Sequence, residues 1–89
     1  MKHFNITVSG KVQGVFYRQS TLRFANQLGI KGFVRNESAG NVFIEAEGPE
    51  EQLNKLIEWC KKGPSAAIVS EVTFSGGEIK NFSEFSIKR

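Results

Sequence analysis

Residues 32–48, GFVRNESAGNVFIEAEG, decide how the rest of the chain must fold. Two segments rich in Phe, Val and Ile, 32–36 and 42–47, flank Ser38, Ala39, Gly40 and Asn41. Glycine and asparagine reach backbone conformations closed to most side chains, so this punctuation reads as the turn of a β-hairpin and makes the two segments antiparallel neighbours. Immediately C-terminal lies a helix with signals at both ends. Pro49 stands near its first position, Glu50 and Glu51 in the first turn, and Lys61 and Lys62 in the last, before Gly63 and Pro64. Acids at the positive end of the helix dipole and bases at the negative end are the favoured arrangement. Leu53, Leu56, Ile57 and Cys60 recur at i, i+3, i+4 and i+7 and form its buried stripe.

Further out, residues 3–9 alternate Phe4, Ile6 and Val8 with Asn5, Thr7 and Ser9, the period of a half-buried strand. Gly10 and Gly14 bracket a short loop. From about residue 18 to 28, Leu22, Ala25 and Leu28, with Phe24 alongside, follow helical spacing until Gly29 stops the helix. A fourth strand spans about residues 68–74, and Gly76 and Gly77 break the chain before a last extended piece near 82–88. The order strand, helix, strand, strand, helix, strand, with a short extra strand, implies an α+β ferredoxin-like sandwich: an antiparallel sheet with two helices on one face. A single domain over residues 1–89 is expected.

Composition narrows the functional classes. Eighty-nine residues, 39% hydrophobic, suffice for one core and not for two. The apolar runs are too short to cross a bilayer and the N-terminus lacks a signal-type apolar region, so the expected location is the cytoplasm, with no membrane partner. Cys60 is the only cysteine and His3 the only histidine, which leaves no internal disulfide and no soft-ligand cluster; neither metal nor cofactor is expected. A net charge of +3 favours anions, but the twelve Lys and Arg residues are interleaved with nine acids rather than gathered in a stripe. A phosphate-sized anion fits that pattern better than a polymer.

The usual catalytic side chains are scarce. His3, at the start of the first strand, reads as a surface or strand-edge residue, and Cys60, in an apolar stripe, as a buried inert thiol. Trp59, beside that stripe, reads as packing, and no paired carboxylates stand out from solvated helix ends such as Glu50 with Glu51. The segment GKVQGVFYR, residues 10–18, differs in placing a glycine-bearing turn between a strand and the first turn of a helix and ending in Arg18. Inward-pointing backbone amides, a helix N-terminus and an arginine fork together make a site for phosphate or sulfate. Gly10 and Gly14 also admit a plainer reading as simple turn residues. The spacing matches neither the Walker pattern nor the dinucleotide fingerprint.

VSGKVQGVFYR, residues 8–18, resembles the first signature of the acylphosphatase family, and residues 32–48 resemble the second in their glycines, valine and Asn36. The resemblance covers essentially the whole chain. It implies hydrolysis of carboxyl phosphate anhydrides without metal, with the backbone amides of Gln13, Gly14, Val15, Phe16, Tyr17 and Arg18 holding the phosphoryl oxygens. Arg18 clamps them and Asn36 orients the attacking water. Tyr17 departs from the Phe or Met usual in the family, and its hydroxyl requires a partner. The expected ligands are a small acyl phosphate and, in competition, inorganic phosphate or sulfate, bound by a monomer.

Two other readings compete. RNA binding would use exposed aromatics on a ferredoxin-like sheet, and Lys31, Gly32, Phe33 and Val34 partly echo that motif. The echo fails at Val34 and in the following Arg35, Asn36 and Glu37, so no nucleic-acid partner is expected. An acylphosphatase-like domain that is non-catalytic or handles carbamoyl phosphate, as in larger maturation enzymes, is disfavoured by the short chain and by the presence of Arg18 and Asn36.

Overall fold

The computed structural model describes residues 1–89. Its elements are β1 (Lys2–Lys11), α1 (Tyr17–Gln27), β2 (Lys31–Asn36), β3 (Val42–Gly48), α2 (Glu50–Lys62), β4 (Ile68–Gly76) and β5 (Phe85–Lys88). The sheet runs β4-β1-β3-β2-β5. In the antiparallel β1–β3 pair, Phe4 faces Ala46, Ile6 faces Ile44 and Val8 faces Val42. The alternation of β1 therefore aligns with that of β3 on one face, which the helices cover: α1 packs over β2 and β5, α2 over β1, β3 and β4. Ile6, Val8, Val34, Ile44, Leu53 and Leu56 are completely buried at that interface.

Helix α2 buries Leu53, Leu56, Ile57 and Cys60, the stripe expected from spacing. Helix α1 is rotated from the expected face. Its buried residues are Tyr17, Thr21 and Ala25, with Leu22, Phe24 and Leu28 only partly covered at the flanks. A threonine can occupy the centre of the stripe because its hydroxyl donates to the carbonyl of Tyr17, one turn back, at 2.8 Å.

The sheet is mixed rather than wholly antiparallel. Strand β5 pairs parallel with β2, Gly32 with Phe85 and Val34 with Ile87. The reason is positional: β4 lies on one edge and β5 on the other, and the chain leaves β4 at the end of the sheet where β2 begins. Residues 77–84 must cross four inter-strand gaps, about 19 Å, and eight extended residues reach about 26 Å. The chain then enters the far edge running in the direction of β2.

This crossover corrects the reading of His3. His3 is 3% exposed, because β1 has neighbours on both sides and the crossover covers the other face of the sheet at this end. Its Nδ1 lies 2.7 Å from Glu47 Oε2, and its Nε2 lies 3.2 Å from Glu45 Oε1 and 3.0 Å from Asn5 Oδ1. Glu45 and Glu47 are thus paired carboxylates that the sequence reading passed over. They bind the crossover: Glu47 accepts from the amides of Lys80 and Phe82, Glu45 from Lys80 Nζ at 2.8 Å, and the Phe82 ring stacks on His3. Phe33, on the same face, lies under Lys88 Nζ at 4.3 Å and against Phe82, so its ring is not free to stack on a base.

Burial alone would raise the Glu47 carboxyl, but the two amides and His3 outweigh it and hold it below the ordinary glutamate value. A carboxyl lowered in the folded state contributes stability above its unfolded value, about 4.3, that is lost as pH falls through the folded one. Wild-type stability in denaturant should therefore decline between about pH 5 and pH 2 more steeply than that of Glu47→Gln. At pH 7 the substitution should cost about 1–3 kcal/mol, because a carboxylate that accepts from two backbone amides and meets the His3 ring is replaced by an amide with one acceptor oxygen. Parallel pH profiles for the two proteins would remove Glu47 from the energetics of the crossover.

Candidate active site

Strand β1 delivers the chain to a turn that reverses its backbone twice. Val12 is buried, then Gly14 adopts φ 74° and Phe16 φ 64°. No atom lies within 4 Å of a Cβ built on Gly14, so its glycine is required by the left-handed backbone and not by crowding. Phe16 accepts the same conformation with a side chain, a strain of about 1 kcal/mol of the kind concentrated at functional sites, while its ring stays 76% exposed. Left-handed residues alternating with right-handed ones curl successive N–H groups towards one point. The amides of residues 13–16 donate to no backbone carbonyl, and the α1 ladder begins only with Ser20 N–H to Phe16 O at 3.1 Å.

Helix α1 starts without a side-chain cap and without an acid in its first turn, whereas α2 has Glu50 and Glu51 there. The protein therefore supplies no negative group to the positive end of α1. Arg18, in that first turn, pairs with none of the protein's carboxylates.

A cavity of about 280 Å³ opens at this point. Gly14, Phe16, Tyr17 and Arg18 line it from the loop and helix, and Asn36 lines it from the end of β2. Asn36 reaches it because it sits opposite Val42, on the face that carries Val34 towards the helices. Its Oδ1 is shielded from solvent and accepts no hydrogen bond from the protein. Of the expected phosphate-binding residues, Gln13 and Val15 do not line the cavity: Val15 is buried in the core, and the Gln13 side chain turns to the hairpin. Gln19, Ile87 and Arg89 line it without having been anticipated. Ile87 and Arg89 arrive through the parallel pairing of β5, whose next step after Lys88 opposite Arg35 brings Arg89 beside Asn36. Only a reading that placed β5 next to β2 would have found them.

Tyr17 resolves the question of its hydroxyl. It donates to the carbonyl of Cys60 at 2.7 Å, in the last turn of α2 where carbonyls lack helical partners, and its ring packs on Trp59. Burial pushes the phenol up, out of the range of acid–base chemistry. Burial likewise pushes the Cys60 thiol up to about 12, against a smaller opposing effect of Tyr17. The cavity lining holds two arginines and no Asp, Glu, His or Cys, and no group of three or more such residues is arranged to hold a metal ion.

The acylphosphatase family model matches residues 4–87. The chain belongs to the acylphosphatase family. It is 51% identical over 72 residues to an acylphosphatase of Marinobacter nauticus, covering 81% of this chain and 78% of that one. Its fold superposes on the crystal structure of an acylphosphatase from Bacillus subtilis with a TM-score of 0.97 at 32% identity, covering both chains completely. It also matches a part of full-length HypF, in its phosphate- and nucleotide-bound form, with a TM-score of 0.93 at 31% identity over 99% of this chain and 12% of that one. The family's fold and enzyme class are therefore those of this chain, whose site chemistry must serve the hydrolysis of an acyl phosphate.

The burial of Tyr17 and Cys60 gives a direct expectation. Tyr17→Phe, which leaves the Cys60 carbonyl without its donor, should cost about 1 kcal/mol of stability. Cys60→Ala should cost on the order of 1 kcal/mol, and both variants should keep wild-type turnover. The folded wild type should resist thiol alkylation at pH 8. Activity lost in step with alkylation of folded protein would place the thiol in the reaction.

Proposed function

We propose that this enzyme hydrolyses acyl phosphates to a carboxylate and inorganic phosphate through a water held by Asn36, on a phosphoryl group bound by the amides of residues 13–18 and by Arg18. The observation that carries this reading is the meeting of the loop, Arg18 and Asn36 in one cavity whose lining has no Asp, Glu, His or Cys side chain to act as general acid or base. Such a site suits only a reaction that requires neither. A carboxylate leaving group, with a pKa of about 4 as its conjugate acid, departs at neutral pH unprotonated. The loose transition state of phosphoryl transfer asks for alignment and for charge spread over the equatorial oxygens, which free amides and a guanidinium provide.

The attacking water needs an orienting partner rather than a strong base, and its proton passes to a phosphoryl oxygen. An amide can accept from the water and donate elsewhere, and Asn36 lines the cavity beside Arg18. A phosphate monoester, whose alkoxide must be protonated on departure, should be a far poorer substrate. The same reading takes the enzyme to be metal-independent, monomeric and cytoplasmic, with inorganic phosphate or sulfate as competing ligand and neither nucleic acid nor membrane as partner; a free, buried cysteine fits a reducing compartment.

Separate kinetic signatures test the two assignments. Arg18→Lys keeps the charge and loses the two-pronged grip, so phosphate affinity should fall and turnover should drop roughly a hundredfold to a thousandfold. Asn36→Ala should bind phosphate nearly as well as wild type while losing turnover by about a hundredfold or more. Near-normal turnover in Asn36→Ala, or an equal loss of phosphate binding in both, would refute the division of roles. Benzoyl phosphate hydrolysis should also persist in excess chelator, and activity that vanished there and returned with magnesium or zinc would refute the metal-free reading.

A further inference from the structure

Gln13 borders the cavity without lining it, and its side chain reaches across from the loop to the β2–β3 hairpin. Its Nε2 donates to the carbonyl of Glu37 at 2.8 Å and to that of Asn41 at 3.0 Å. Those two carbonyls are the two sides of the neck of the β2–β3 hairpin: the Glu37 amide donates to the same Asn41 carbonyl at 2.8 Å. Glu37 follows Asn36 directly, and Asn41 precedes Val42, which faces Asn36 across the pair.

One primary amide therefore ties the first residue of the phosphate loop to both strands of the hairpin, within one residue of Asn36. The chemistry of the side chain is specific to the task. A single nitrogen with two diverging protons can bridge two carbonyls without charge, whereas a hydroxyl has one proton, a carboxylate has none, and an ammonium would bury a charge beside the cavity. The backbone between the loop and Asn36 passes through α1 and most of β2, so along the chain nothing local fixes their separation.

We propose that Gln13 is a positioning residue that sets the distance between the phosphoryl cradle and Asn36, and so aligns the water with phosphorus. The inference rests on Asn36 as the holder of the water. A merely structural clamp and an alignment device differ in one respect: the second matters only while Asn36 is present to be aligned.

The test is a double-mutant cycle on turnover, with phosphate affinity and melting temperature measured on each protein. Gln13→Met keeps the length of the side chain and removes both donors. In the wild-type background it should lower turnover by roughly tenfold to a hundredfold, the scale of a misplacement near 1 Å, with phosphate affinity held within about threefold. In the Asn36→Ala background it should lower turnover by less than about twofold, since coupled residues do not add. Gln13→Asn, which retains both protons on a shorter arm, should show the same pattern with a smaller loss, and serves if Gln13→Met fails to fold. Equal losses in the two backgrounds, unchanged turnover in a folded variant, or a loss of phosphate affinity matching the loss of turnover would each overturn the proposal. Near-normal turnover in Asn36→Ala alone would overturn the water-holding role of Asn36 and this inference with it, a result visible before Gln13 is touched.

Discussion

The register between β1 and β3 is the constraint on which the site depends. With Val8 set against Val42, the end of β1 emerges beside the neck of the β2–β3 hairpin, within reach of the Gln13 side chain. A slip by one residue would turn the apolar side of either strand to the opposite face. It would also move the neck carbonyls away from Gln13. The register is held by the full burial of Ile6, Val8, Val42 and Ile44 against the helices, so the same apolar contacts that make the core fix the loop beside Asn36.

The sheet separates its charges by end and by face. The loop stands at one end of β1, and His3 lies near the other, about 26 Å away if measured as eight strand residues. The acids Glu45 and Glu47 sit at the His3 end, on the face away from the helices, where they fasten residues 77–84. The cavity lining includes Arg18 and Arg89 and no acidic side chain. A carboxylate near the loop would compete for its free amides and raise the cost of bringing a phosphoryl dianion in. The distant network still serves the cavity, because the crossover it fastens feeds β5, and β5 supplies Ile87 and Arg89.

What could be read from the sequence follows from what periodicity encodes. The α2 stripe, the hairpin, the loop and Arg18 are local patterns, and Asn36 became legible through a motif. The centre of the α1 stripe was hidden because Thr21 and Tyr17 are polar by type, and only their hydrogen bonds, to a carbonyl one turn back and to the end of α2, make them core residues. His3 looked peripheral because an alternating strand reads as having a wet face; the crossover that dries it is eight residues with no periodicity. Glu45 and Glu47 stand two apart on one strand, a visible pairing whose partner, His3, lies 42 and 44 positions away. Arg89 was missed for a related reason, since alternation describes the faces of a strand and says nothing about which edge receives it.

The strand order has a consequence for how the chain is made. All three inner strands, β1, β3 and β2, lie within the first 48 residues, and the two edges, β4 and β5, come from the last 22. During synthesis the centre of the sheet is complete in sequence while both its flanks still present unpaired N–H and C=O groups. Such open edges are templates for pairing with other chains, and here their covers are made after the strands they cover. Only one neighbouring pair, β2 with β3, is a hairpin, so the remaining pairings must close long loops before they are rewarded. The interval between emergence of the inner strands and arrival of β4 and β5 is therefore when a growing chain is most exposed to association, a hazard set by the order of the strands and shared by any sequence that adopts them.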